Sequence, residues 1–165
     1  GDIQRLKQLN KRLILLAKID NNQFNAKEDI SVNETLKQSI ENFNEITQTR
    51  IALHEKNHLT VFMDKALASI LFNNLLTNAI KHNFESQPVT VIIEANRIQV
   101  SNAGKVALNN PENIFERFYK ESKKPDSTGL GLSIVKKICD FYGFSPSYGF
   151  HEGSKKHIFQ IEFNN

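Results

Sequence analysis

Residues 67–82 carry the most informative hydrophobic pattern in the chain. Apolar residues recur there at spacings of three and four, which predicts a helix with two inward-facing stripes. One stripe changes from apolar to amide halfway along, and it consists of Leu67, Leu71, Asn74, Asn78 and Lys81. The second stripe is apolar throughout, so we predict that the helix is mostly buried. An unpaired buried amide costs about 1–3 kcal/mol, so the two asparagines should contact either a ligand or metal, or the backbone of an ordinary core.

The same periodicity predicts the other helices. Residues 2–20 form an amphipathic pattern, and the polar residues 21–23 after them indicate a linker, so we place a domain boundary between residues 1–24 and residues 25–165. No helix with both matching length and heptad character follows. The partner of the opening helix is therefore expected outside this chain or in another copy of it, the alternative being that the helix packs on its own domain.

Capping residues predict where helices begin and end. Asn33 is the expected N-cap of a helix that continues to about Thr49, and Asp64 is the expected N-cap of the helix over residues 67–82. A short helix is predicted from Pro111, and a longer one after residue 132 should end at Gly143.

Runs of β-branched and aromatic residues predict three hairpins. Their strands are residues 51–53 with 59–63, residues 89–94 with 97–101, and residues 147–150 with 157–163. Helices alternate with these hairpins, and no strand–helix–parallel strand unit repeats. The predicted fold class is therefore α+β, a two-layer sandwich of a mostly antiparallel mixed sheet with helices on one face, preceded by one long amphipathic helix.

Composition narrows the classes of function. The 21 basic and 18 acidic residues give a net charge of +3 and are spread along the chain, without the basic stripe of a nucleic-acid interface. No apolar run approaches the length of a membrane span. The single cysteine, Cys139, excludes an internal disulfide and fits the cytoplasm. The chain opens on Gly1 without an initiator Met, so we expect it to be a piece of a longer protein.

Four short motifs follow one another between residues 74 and 132. They are Asn74-Leu-Leu-Thr-Asn78-Ala-Ile-Lys81-His82, Asn102-Ala-Gly104, Phe115-Glu-Arg-Phe118 and Thr128-Gly-Leu-Gly-Leu132. In this order and spacing they resemble the N box, first glycine box, F box and second glycine box of the catalytic ATP-binding domain of bacterial sensor histidine kinases. That domain has the Bergerat fold, shared with gyrase, chaperone and mismatch-repair ATPases. The opening helix likewise resembles the second helix of the family's dimerisation and phosphoacceptor hairpin.

The chemistry of the first motif agrees with what the resemblance implies. Asn74 and Asn78 offer carbonyl oxygens one turn apart, and such hard ligands suit Mg²⁺. Lys81 lies one turn further along the same face, where it can reach phosphate oxygens. The resemblance implies that Asn78 is a metal ligand, that Asn74 is nearby and that His82 lies close to the nucleotide. ATP-hydrolysing relatives usually carry a glutamate at the position of Asn74. The absence of that glutamate here favours transfer of the phosphoryl group to a protein over hydrolysis.

The second glycine box is a plausible anion site in its own right. Gly129 and Gly131 let backbone N–H groups approach a phosphate, and the helix that follows points its positive dipole end towards it. The alternative is an ordinary glycine-rich entry to a helix. Residues 120–127 resemble the family's ATP lid, the alternative being a solvated loop. The other nucleotide contacts that the resemblance implies are Phe115, Phe118, Lys120, Thr128, Leu130 and Leu132.

The first glycine box departs from the family pattern. It normally begins with an aspartate that accepts a hydrogen bond from the adenine amino group, and two glycines follow. This chain has Asn102, one matching glycine at Gly104, and Val106 in place of the second glycine. An uncharged acceptor makes a weaker bond than a carboxylate, so weaker or less selective nucleotide binding is predicted.

No histidine of the chain lies in the family's phosphoacceptor pattern, so the chain alone should bind nucleotide without labelling itself. His54-Glu-Lys-Asn-His58 matches the H-E-x-x-H zinc signature. That signature requires a helix, whereas these five residues join two predicted strands. Zinc is therefore disfavoured.

The resemblance implies a Mg²⁺-ATP-dependent protein-histidine kinase that passes the γ-phosphoryl group of ATP to a histidine outside this chain, for relay to a response regulator. The implied partners are the acceptor hairpin of its own homodimer and a receiver domain. The implied location is the cytoplasmic part of an inner-membrane sensor. One alternative is a degenerate module of the same fold that binds little or no nucleotide and acts as a scaffold. A serine kinase acting on anti-sigma antagonists shares the fold, but Asn74 and the opening helix disfavour it.

Overall fold

The structure, a computed structural model, describes residues 2–24, 26–84, 86–108, 114–115 and 131–164. The helices in these ranges are α1 (Asp2–Asp20), α2 (Val32–Ile46), α3 (Lys65–Lys81) and α4 (Gly131–Tyr142). The strands are β1 (Lys27–Ser31), β2 (Ile51–Glu55), β3 (Thr60–Asp64), β4 (Val89–Ile93), β5 (Arg97–Ala103), β6 (Ser145–His151) and β7 (Lys156–Glu162). None of the described helices is long and apolar enough to cross a membrane.

A five-stranded sheet in the order β2-β4-β5-β7-β6 forms one layer of the fold. The pair β2–β4 is parallel and the other neighbours are antiparallel. Burial alternates from residue to residue along β4, β5 and β7, because only one face of the sheet lies on the core. Helices α3 and α4 pack together and lie on this sheet. The predicted α+β sandwich with a mostly antiparallel mixed sheet is therefore confirmed.

The predicted hairpin of residues 51–53 and 59–63 is wrong. Strand β2 pairs in parallel with β4, and β3 pairs antiparallel with β1 in a separate two-stranded ribbon. The link after β2 is anchored to the end of β4, since the amides of Lys56 and Asn57 both donate to the Ile93 carbonyl, at 2.9 and 3.3 Å. This anchor continues the β2–β4 pairing beyond the strand and carries the chain away from a hairpin.

Ser31, not Asn33, caps α2. The Ser31 hydroxyl accepts a hydrogen bond from a first-turn amide at 3.2 Å, and the helix ends at Ile46 rather than near Thr49. Asn33 lies inside the helix, only 5% exposed, and its side chain reaches the link between β2 and β3. Its amide group donates to Glu55 Oε1 at 2.9 Å and the Asn57 carbonyl at 3.0 Å, and its oxygen accepts from Leu59 N at 2.9 Å.

Asp64 caps α3 as predicted. Its carboxylate accepts hydrogen bonds from the amides of Ala66 at 2.8 Å and Leu67 at 3.1 Å, and its charge is favourable at the positive end of the helix. The backbone N–H of Asp64 donates to the hydroxyl of Tyr142 at 2.9 Å. This bond joins the start of α3 to the end of α4.

The two halves of α1 have different environments. In the second half Leu16 and Ile19 are 1% and 2% exposed, and Asp20 forms an ion pair with Lys137 of α4. In the first half Ile3 and Leu6 are 71% and 60% exposed. The helix therefore packs on its own domain through its second half, while its first half presents apolar side chains to solvent.

The remaining predicted elements of the described ranges are present. Gly143 ends α4 with a φ of +74°, the left-handed conformation that glycine adopts without steric cost. The hairpins β4–β5 and β6–β7 form as predicted. The short helix predicted from Pro111 falls largely outside the described residues.

Candidate functional site

The amide stripe of α3 lies at the border of the core. Leu67 and Leu71 are fully buried, but Asn74, Asn78 and Lys81 are half-buried, not buried as predicted. The buried stripe continues instead through Leu75 and Ala79, which follow Leu71 at spacings of four. The helix therefore presents its two amides and its lysine along one edge that a ligand can reach.

Asn74 has a fixed orientation that turns its oxygen towards α4. Its amide group donates to the carbonyl of Ile70, one turn earlier, at 2.7 Å. Its Oδ1 lies 3.6 Å from the position that a Cβ on Gly131 would occupy. The structure thus brings the first residue of the N box against the second glycine box. Asn78 follows one turn later, and its carbonyl accepts from the backbone amide of His82, the C-cap residue of α3, at 3.2 Å.

The end of β5 is bound to the end of α3. Asn102 is 1% exposed, and its amide group donates to the carbonyls of His82 at 3.1 Å and Ala103 at 3.3 Å. Asn83 adds a further bond, its Oδ1 accepting from Ala103 N at 2.9 Å. The N box and the first glycine box therefore lie side by side. The sequence reasoning missed Asn83, although it directly follows the N box.

One atom of this junction lacks a partner. The Oδ1 of Asn102 is buried and accepts no hydrogen bond from any residue that the structure describes. The amide cannot be turned around without loss, because its nitrogen faces two carbonyl oxygens. An unpaired buried acceptor costs about 1–3 kcal/mol, so Asn102 holds an acceptor ready for an external donor.

Gly104 is covered by a histidine that the sequence reasoning did not select. A Cβ on Gly104 would lie 2.1 Å from Nε2 of His157, so the imidazole occupies the space that any side chain would need. His157 is 7% exposed and lies opposite Asn102 in the β5–β7 pair. Its Nδ1 is 2.8 Å from the hydroxyl of Tyr148, and that hydroxyl accepts a hydrogen bond from Leu108 N at 3.0 Å. The only sequence signal was a polar residue at an inward position of β7.

The other predicted site residues are only partly described. Phe115 packs edge-on against Phe159, with ring centroids 6.5 Å apart, and Leu132 packs half-buried against the core. Val106, in place of the second glycine, is 72% exposed. Five predicted residues lie outside the described ranges: Phe118, Lys120, Thr128, Gly129 and Leu130.

His54 and His58 lie on and just after strand β2, not on a helix. The His58 ring is 3.4 Å from the hydroxyl of Thr60. In the part of the chain that the structure describes, no three histidine, cysteine or carboxylate side chains group as a metal site.

A cavity of about 540 Å³ lies between α1 and α3 and reaches Asn74. Its α1 wall carries Lys11, Arg12 and Lys18, and its α3 wall carries neutral polar residues including Thr77. Partial burial lowers the pKa of the Arg12 guanidinium from its ordinary value, because burial disfavours the charged form. The cavity therefore combines basic side chains on α1 with apolar lining residues that include Ile14, Leu15 and Phe24.

Residues 63–164 match the family model described as "Histidine kinase-, DNA gyrase B-, and HSP90-like ATPase". This match covers more than half of the chain. The chain belongs to this family.

Individual members agree with this assignment. The chain is 27% identical over 169 residues to the sensor histidine kinase HprS of Escherichia coli, covering 97% of this chain and 37% of that protein. It is 32% identical over 146 residues to the heme sensor protein HssS of Staphylococcus saprophyticus, covering 84% of this chain and 32% of that protein. This member of the ATPase family thus spans about a third of the length of these curated relatives.

A solved structure shows the same fold. The full-length protein ShkA in complex with AMPPNP superposes with a TM-score of 0.79, over 95% of this chain and 35% of that one. At 23% identity this likeness concerns the fold alone. The family assignment confirms the resemblance that the four motifs predicted.

Proposed function

We propose that this chain is the Mg²⁺-ATP-binding kinase domain of a two-component sensor histidine kinase. The observation that carries the proposal is the buried, unpartnered Oδ1 of Asn102, at the position where the family pattern places its adenine acceptor. Family membership and the names of the relatives support the same function.

Asn102 favours adenine over guanine. Its amide nitrogen is held by two carbonyls, so the side chain presents only an acceptor to the ligand. The exocyclic amino group of adenine is a donor and satisfies that acceptor. Guanine has a carbonyl at the corresponding place, which would leave two acceptors facing each other. The neutral amide still makes a weaker bond than a carboxylate, so we expect selective binding of modest affinity.

The phosphate end of the site would lie between α3 and the start of α4. Asn78 and Asn74 have the oxygen donors that suit Mg²⁺, and Lys81 follows on the same edge of α3. When bound, Mg²⁺ would neutralise charge on the β- and γ-phosphates. Gly131 is the first residue of α4 and faces the Asn74 oxygen. The backbone amides at this N-terminal end of the helix favour an anion. We retain Phe118, Lys120, Thr128, Gly129 and Leu130 as proposed contacts.

The chain's residues orient ATP and supply charge, and the acceptor comes from elsewhere. We propose that the γ-phosphoryl group passes to a histidine on the acceptor hairpin of the protein's own homodimer, and then to a response regulator. Transfer of this kind depends on positioning and electrostatics, with little covalent work by the domain. We place the domain in the cytoplasm, where ATP is available, and propose that any membrane anchor belongs to other parts of the protein.

The proposal is tested by nucleotide binding and then by transfer in trans. Mg²⁺-ATP at a hundred times its Kd should stabilise the fold by about 2.7 kcal/mol, which a thermal shift detects. Asn78→Ala should remove the effect, while Asn44→Ala, the same change on the exposed face of α2, should keep it. With labelled ATP and a separate acceptor hairpin, only the wild type and the Asn44 variant should label the hairpin.

The scaffold alternative predicts the opposite result. The exposed Val106, in place of a family glycine, favours it. A melting temperature that no adenine nucleotide changes would refute the kinase proposal and support the scaffold. Equal labelling by wild type and Asn78→Ala would remove Asn78 from its proposed role.

A further inference from the structure

Tyr148 and His157 form a hydrogen-bonded pair on the β6–β7 hairpin, beside the first glycine box. The Tyr148 hydroxyl lies 2.8 Å from His157 Nδ1, and the two rings stack with centroids 5.8 Å apart and an interplanar angle of 29°. The Phe150 ring is tilted against the same imidazole, with centroids 5.0 Å apart. The imidazole is therefore held by packing against two aromatic rings and by a hydrogen bond.

This pair holds the segment that follows Asn102 at two points. His157 lies against the Cα of Gly104, and the Gly104 amide donates to the carbonyl of Lys155, in the turn of the same hairpin, at 2.9 Å. Four residues further on, the amide of Leu108 donates to the Tyr148 hydroxyl at 3.0 Å. The path of residues 102–108 is thus fixed by the hairpin and by the end of α3.

The Tyr148 hydroxyl takes part in two of these hydrogen bonds. Its oxygen accepts from the Leu108 N–H, and it also bonds to His157 Nδ1. The tautomer of the imidazole decides which of the two, the hydroxyl or Nδ1, is the donor in the second bond. The Leu108 amide, the hydroxyl and the imidazole then form one chain of hydrogen bonds that ends above Gly104.

We infer that Tyr148 and His157 are positioning residues for nucleotide binding, which act by holding Asn102 and the segment after it in place. The inference rests on the proposed function and adds two residues to its site. Neither residue is required to touch the nucleotide. Asn102 must present one buried oxygen to one amino group, and a hydrogen bond of this kind is lost when its partners move by a fraction of an ångström.

Tyr148→Phe tests the inference, with Tyr142→Phe as a matched control. Each change removes a hydroxyl that accepts a hydrogen bond from a backbone amide. The donor is Leu108 N–H for Tyr148 and Asp64 N–H for Tyr142. Tyr142 ends α4 at the opposite end from Gly131, so the second change lies away from the site. The two variants should lose similar amounts of thermal stability.

The readout that separates positioning from stability is the binding of a nucleotide series. Tyr148→Phe should raise the Kd of ATP, ADP and adenosine by the same factor, about three- to tenfold, because the change acts at the adenine end of the site. It should also narrow the preference for ATP over GTP. Tyr142→Phe should leave all of these constants within about twofold of the wild type.

Each result has one meaning. Unchanged affinities in Tyr148→Phe, or equal losses in both variants, would overturn the inference while leaving the proposed function intact. A wild type that binds no member of the series would overturn the proposed function and the inference together.

Discussion

Gly104→Ala should destabilise the protein even in the absence of any ligand. The added Cβ would lie 2.1 Å from Nε2 and 2.5 Å from Cδ2 of His157, far inside van der Waals contact. The imidazole cannot turn away freely, because Tyr148 and Phe150 pack against it and Nδ1 is hydrogen-bonded. Either the hairpin or the backbone at residue 104 must move.

The size of the effect follows from the cost of overpacking. Forcing one extra methyl group into a packed site costs about 1–3 kcal/mol. For a chain of this length each kcal/mol lowers the melting temperature by about 2–4 °C, so we expect a fall of about 2–12 °C. Thermal and urea unfolding of the ligand-free protein measure it.

Two variants separate the contact from a general effect of glycine replacement. Gly149→Ala, on the neighbouring strand β6, places its Cβ in open space and should leave stability nearly unchanged. His157→Ala removes the ring, and Gly104→Ala in that background should cost much less than in the wild type. The difference is the coupling energy of the two residues in a double-mutant cycle.

A specific result would refute this reasoning. If Gly104→Ala melts like Gly149→Ala but no longer binds nucleotide, the glycine serves close approach of the ligand and not the packing of His157. Additive costs in the double variant would also contradict the contact.

Three further predictions concern the fold. Asp64→Ala should lower the free energy of unfolding by about 1 kcal/mol in urea, because it removes the cap of α3. Asn33→Ala should cost about 1–3 kcal/mol in the same assay, because it leaves a buried backbone amide unpaired. Burial raises the pKa of the Cys139 thiol to about 12. The thiol therefore stays protonated in the folded protein above pH 9, where it ionises in the unfolded chain. The free energy of unfolding, measured in urea, should therefore fall between about pH 9 and pH 12, and it should fall less steeply in the Cys139→Ala variant.

Local signals predicted much of the fold. The period of residues 2–20, the cap at Asp64 and the stop at Gly143 depend on neighbours within a few residues, and the structure contains all three. The prediction that Asn33 caps α2 was wrong for the opposite reason. Its partners lie 22 to 26 residues away, so only the folded chain shows that its amide belongs to a different contact.

The partners of β2 and β3 and the surroundings of the site could not be predicted in this way. Residues 51–53 and 59–63 have the spacing of a hairpin, and nothing local indicates that β2 instead pairs with β4, beyond α3. The motifs identified Asn74, Asn102 and Gly131 by residue type. They could not show that His157, from the last strand, covers Gly104, since that contact depends on the β5–β7 register.

The place of β7 in the sheet has a consequence for biosynthesis. Strand β7 lies between β5 and β6, both of which precede it in the sequence, and residues 156–162 supply hydrogen bonds to both neighbours. The five-stranded sheet cannot be completed until β7 has left the ribosome. A product truncated before Lys156 would leave β5 with an open edge and β6 without a partner, and such edges promote aggregation.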